Sequence, residues 1–109
     1  MCAVRGTGKA AAGRVERLTR AAECLKTIAH PVRLRMVELL LGGEYTVGEL
    51  AEACDVPSPV ASGHLGIMRD RGLLGLERRG QRTFYHVRQR GLAGIMSCVR
   101  GQLGSEREG

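Results

Sequence analysis

The sequence predicts a mainly α-helical domain closed by one small β-hairpin, in the order α-α-α-α-β-β-α. Three observations carry that expectation. Apolar residues recur at helical spacing in four runs between Val15 and Met68, and again from Leu92 to Leu103. Proline or glycine marks the breaks, at Pro31, Gly42-Gly43, Pro57 and Gly72. Between Leu73 and Val87, β-branched and aromatic residues alternate on one side of a Gly80-Gln81 pair, as strands around a tight turn do.

Residues 1–13 are rich in Gly, Ala and basic residues without a period, and are expected to be a flexible basic arm. The folded domain is expected over residues 14–104, with 105–109 a disordered tail. Val15, Leu18, Ala22, Leu25 and Ala29 define the first helix, which should stop near His30-Pro31 because a residue before proline resists the α region. Pro31 suits the first turn of the second helix, apolar nearly all round and so expected to be buried. Thr46 and Glu49 have the spacing of a capping box, opening a short third helix with Val47, Leu50, Ala51 and Cys54 on one stripe. Ser58 is expected to N-cap the fourth helix with Pro59 in its first turn, and Gly72 to close it in the left-handed conformation. The hairpin follows, then a final amphipathic helix with Leu92, Ile95, Met96, Val99 and Leu103. A short helix, a tight turn, a second capped helix and a hairpin make a winged helix-turn-helix, whose second helix can enter the DNA major groove.

Charge agrees with that use. The 109 residues hold 17 Lys and Arg against 11 Asp and Glu, a net +6. Residues 21–57 carry three basic and six acidic side chains, whereas 58–90 carry seven and two. A basic segment beside an acidic one suits a polyanion on one face, and the plainer reading is a solvated charged surface. Ser58, Ser62 and Gly63 fall near the start of the reading helix. Arg69, Arg71, Arg78, Arg79 and Arg82 follow without a lysine among them, and guanidinium forks match phosphates and base edges bidentately. Gly63 costs a helix about 1 kcal/mol against alanine, which points to a close backbone approach by a groove or by a neighbouring helix.

Other classes fare less well. No run reaches the roughly 18 apolar residues of a membrane helix, and the first residues lack a signal peptide's apolar stretch, so a cytoplasmic protein is expected. No phosphate loop, nucleophile-base pair or paired carboxylates mark an enzyme. A nucleoid protein or a protein-interaction module without inducer is the alternative to a sequence-specific repressor. A core this small is marginal alone, so a homodimer is expected.

The residues also resemble a known family. Leu25, Ile28, Ala29, Pro31, Arg33 and Leu34 match the opening motif of the ArsR/SmtB repressors; Ser62, His64 and Leu65 match the "S-x-H-L" of their reading helix. Gly72 to Leu74, Arg78, Gly80 and Tyr85 match their wing. The resemblance implies a dimer joined through the first and last helices, bound to double-stranded DNA at a palindromic operator and released by an inducer. It also implies a base- or phosphate-contacting role for Ser62. Gly63 stands where the family commonly has a bulkier contact residue.

The family's familiar metal sites do not carry over. Tyr45 to Leu50 contains no cysteine, and residues 91–103 contain no His, Asp or Glu. The four cysteines, Cys2, Cys24, Cys54 and Cys98, are too widely spaced for a finger-type zinc site. Cys54 lies on an apolar stripe and reads as a core thiol. Cys24 and Cys98 sit on helix shoulders, where packing does not demand them, and are expected either to pack as small hydrophobes or to form a dithiol that senses a thiophilic species. As(III) or another soft metal on cysteine thiolates is the cofactor-like partner that this chemistry admits, with Cys54 as a third ligand. Glu38 stands in the region of the second helix where persulfide-sensing relatives carry a thiol. His64 is expected to be a hydrogen-bonded structural residue, and His30 and His86 are assigned no chemistry.

Overall fold

A nearly continuous apolar surface on the second helix organises the core. The computed structural model describes the backbone of residues 8–103 and the side chains of 13–101. Cys2, the expected tail and residues 1–7 of the expected arm lie outside the described residues. The elements are α1 (Gly8–Ile28), α2 (Pro31–Leu41), α3 (Val47–Cys54), α4 (Ser58–Asp70), β1 (Leu74–Arg79), β2 (Arg82–Val87) and α5 (Leu92–Cys98), the last continuing as a π-helical turn, Val99–Leu103. Met36, Val37 and Leu40 of α2 meet Leu50 of α3, Leu65 and Met68 of α4, Leu74 of β1, and Leu92 and Met96 of α5 in one buried cluster. Each fully buried leucine there contributes about 2 kcal/mol of transfer free energy.

Local signals account for most of the boundaries. His30 caps α2: its Nδ1 accepts from the Val32 N–H at 3.1 Å, with Pro31 in the first turn. At α3 the capping box forms as expected. The Glu49 N–H donates to the Thr46 hydroxyl at 3.2 Å, and the Thr46 N–H donates to the Glu49 carboxylate at 2.9 Å. Asp55 ends α3 in the left-handed region at φ 58°, a conformation that Asn and Asp tolerate better than most residues. Gly72 follows α4 at φ 81°, and Gly80 turns the hairpin at φ 63°. With Gln81 not in the positive-φ region, the turn has the II′ pattern.

Three boundaries differ from expectation. Helix α1 begins at Gly8, so residues 8–13 of the expected arm are helical; Lys9 and the alanines 10–12 are strong helix formers that lack an apolar period. Pro57, not Ser58, stands at the N-cap of α4, extended at φ −64° and ψ 150° with its carbonyl accepting from the Ala61 N–H at 3.0 Å. Ser58 is therefore already helical and makes no cap bond. The last helix is regular only to Cys98.

The hairpin pairs Leu74 with Val87 through Arg79 with Arg82. Tyr45, in the loop before α3, joins it by a two-way bridge: Tyr85 N–H donates to Tyr45 O at 2.8 Å, and Tyr45 N–H to Tyr85 O at 3.4 Å. The wing is thus tied to the start of the helix-turn-helix. Thr46→Ala removes one cap acceptor and should lower stability by about 1 kcal/mol, read as a lower urea midpoint at an unchanged slope.

Candidate nucleic-acid interface

The buried side of α4 decides what the other side offers. Ala61, Leu65 and Met68 are each fully inaccessible, at i, i+4 and i+7. The opposite line carries Val60 at 44 % exposure, Gly63, and Ile67 at 41 %. Ser58 and Ser62 are exposed as well. A Cβ built on Gly63 meets nothing within 4 Å, so no packed neighbour accounts for the glycine.

A polar clamp holds the helix from behind. Arg33 Nε donates to His64 Nδ1 at 3.1 Å, and Arg33 Nη1 donates to the carbonyl of Thr27 in the last turn of α1 at 2.8 Å. The His30 and His64 rings stand 4.5 Å apart at 49°. One guanidinium therefore joins the end of α1, the start of α2 and the middle of α4. His64 is the hydrogen-bonded structural histidine that the sequence predicts. Sequence reading missed the cap at His30, although a residue just before a helix-opening proline is where a cap belongs.

The arginines divide into groups. Arg71 turns toward α1 and pairs with Glu23 at 3.3 Å. Arg69 is exposed, and its one ion pair among the described residues is with Asp70 at 3.8 Å. On the wing, the register places Arg79, Arg82, Glu77 and Phe84 on one face. The Arg79 and Arg82 guanidiniums lie 4.6 and 5.3 Å from the Phe84 ring centre. Arg79 also bonds Glu44, and Glu77 at 3.2 Å; Arg82 pairs with Glu49 at 3.3 Å. The Thr46 N–H, with Arg82 beside it, holds the Glu49 carboxyl below its ordinary range. Arg78 shares the opposite face with Thr83 and makes no ion pair among the described residues.

The cysteines separate too. Cys24 and Cys54 are half-buried against the core, and burial pushes both thiols up. Cys98 is exposed. Cys24 lines a cavity of about 440 Å³ with Arg20, Leu25, Gln89 and Ile95, between α1 and α5. Among the described residues no three His, Cys, Asp or Glu side chains gather as a metal-ligand set. The three-thiolate centre admitted by the sequence is thus not assembled within one chain, because α3 holds Cys54 against the core while Cys24 faces α5. No described helix is long and apolar enough to cross a membrane.

His64 gives a pH dependence with a definite sign. Burial first, then His30 and Arg33, lower its pKa from 6.5, so the folded chain resists a proton that the unfolded one takes up. Its contribution to stability is complete above 6.5 and is lost as pH falls through the lower folded value. Thermal melts should show the midpoint falling over that window, and His64→Gln should flatten the dependence.

Residues 28–77 match a helix-turn-helix domain family. The biofilm growth-associated repressor of Agrobacterium fabrum is 34 % identical over 84 residues, covering 77 % of this chain and 72 % of that protein. Among solved structures, the transcriptional repressor BigR from Xylella fastidiosa superposes with a TM-score of 0.77 at 31 % identity, over 84 % of this chain and 93 % of that one. A homodimeric winged helix-turn-helix DNA-binding domain from Mycobacterium bovis, described as a possible ArsR-family regulator, gives 0.68 at 26 %, over 89 % and 87 %. With the helix order, the seated reading helix and the wing, these likenesses show that the chain belongs to the ArsR/SmtB family of winged helix-turn-helix, DNA-binding transcriptional repressors, which are not enzymes.

Proposed function

We propose that this repressor works in the cytoplasm as a homodimer on a palindromic operator, and leaves it when a thiophilic inducer acts on Cys24 and Cys98. The outward face of α1 carries the argument. Val15, Leu18 and Leu25 are 61, 63 and 48 % exposed in the single chain, a helical line of large apolar groups that the domain's own core does not use. A second α1 and α5 would cover it, and a twofold axis there would present two copies of α4 to successive major grooves. The Mycobacterium bovis relative is a homodimer, in keeping with this.

On DNA, Ser58, Ser62 and the backbone at Gly63 face base edges, while Arg69 and Arg78 are free to meet phosphates. Arg79 and Arg82 exchange Glu44 and Glu49 for the nucleic acid. Such exposed ion pairs hold by about 0–1 kcal/mol, so the exchange is easy. Arg71, engaged with Glu23, contributes more through the placement of α4 than through direct contact.

The inducer reading rests on the cavity beside Cys24. Ile95 reaches it from α5, and Cys98 lies three residues on, on the same side of that helix. Binding arsenite, As(OH)3, there breaks two S–H and two As–O bonds, forms two S–As bonds and releases two water molecules, with arsenic remaining at the +3 level. Drawing α1 and α5 together in this way would change the angle between the reading heads.

Leu18→Glu should leave helicity intact, yield a monomer by light scattering and abolish operator binding. A dimer that still binds would contradict the interface. Arg78→Ala should make the slope of log K against log salt less negative by about one. Cys24→Ser and Cys98→Ser should each bind operator normally and fail to release it on addition of arsenite. An unchanged response in both would end the thiol reading.

A further inference from the structure

Between Ser58 and Met68 the reading helix contains no Arg, Lys, Asn or Gln. Those are the side chains that pair bidentately with guanine or adenine in the major groove. The one aromatic ring in the segment is engaged, since His64 Nδ1 accepts from Arg33 and the ring rests beside His30. Ser58 and Ser62 offer hydroxyls, which donate or accept singly and discriminate weakly. The first cation, Arg69, stands in the last turn.

What the outward line does offer is apolar. Val60 and Ile67 are the exposed large hydrophobics of this helix, and Gly63 lies between them with open space where a Cβ would be. Of the groups displayed in the major groove, the thymine C5-methyl is the one whose recognition needs an apolar partner. The same helix ends in the exposed cation Arg69 and the wing carries the exposed Arg78, which suits a polyanionic groove better than an apolar protein surface.

We propose that this repressor reads its operator chiefly through thymine methyl groups. Val60 packs against one methyl, and the missing side chain at Gly63 lets the helix backbone come close enough for that contact. The inference rests on the DNA-binding reading above and adds the class of base that is recognised. It makes Val60 and Gly63 the specificity-determining positions, with the arginines supplying affinity without sequence preference.

The test begins by selecting the preferred duplex from a random pool with the wild-type dimer. Each thymine of a half-site is then replaced singly by uracil, which removes the methyl and leaves every hydrogen-bonding group in place. One or two positions should lose about three- to fivefold in affinity, the worth of one buried methyl. Val60→Ala should erase that loss at its own thymine while keeping the wild-type circular dichroism. Gly63→Gln, for which the helix surface has room, should weaken binding to the selected duplex and move a fresh selection toward adenine. Equal affinity for every uracil duplex would overturn the proposal, as would an undiminished uracil penalty in Val60→Ala. Failure to select any sequence would remove the sequence-specific reading itself, and would be visible at the first step.

Discussion

The rotational setting of α4 is the constraint on which the remaining features depend. Ala61, Leu65 and Met68 are buried without residue of exposure, so the helix cannot turn about its axis without lifting three side chains from the core. That setting alone puts Val60 and Gly63 outward and His64 inward. Arg33 then fixes the helix lengthwise, because the same guanidinium bonds His64 and the terminal carbonyl of Thr27. The two motifs in which Arg33 and His64 occur are separated in the sequence and form one clamp in space.

Electrostatics arranges the second reading element around that scaffold. The wing is anchored by backbone bonds between Tyr45 and Tyr85, and two of its cations, Arg79 and Arg82, are held by side chains from the loop before α3 and from α3 itself. Phe84 supports two guanidiniums at once, which limits their rotamers without consuming their N–H donors. A free wing is therefore ordered yet only weakly committed. On the reading proposed above, phosphates would compete with Glu44 and Glu49 at small cost, because exposed ion pairs hold weakly.

Much of this was legible in the residues. Periodicity placed the helices, the Thr46–Glu49 spacing placed a cap, and Gly72 and Gly80 adopt the positive φ their positions required. The start of α1 was missed because helix propensity without an amphipathic period leaves no pattern to read. Ser58 was displaced from the cap because two prolines compete: Pro57 already supplies the extended geometry, so the helix begins one residue earlier in its own register. Long-range pairings left no trace in the sequence. Glu23, Glu44 and Glu49, the distant partners of Arg71, Arg79 and Arg82, lie 33 to 48 positions away, and composition alone could not divide five similar arginines into held and free. Cys54 packs against the core as its place on the apolar stripe implied, and Cys98 is exposed, whereas Cys24, expected on a shoulder, packs against the core as well as facing a cavity.

The claim that ties these parts together is that one face, made of the outward side of α4 and the wing, meets the duplex. Amide NMR of the labelled protein during titration with its operator tests it most directly. Perturbations concentrated at residues 58–63 and 78–82, with Leu65 and Met68 little changed, are the expected result. Shifts confined to α1 and α5, or spread evenly over the surface, would contradict it.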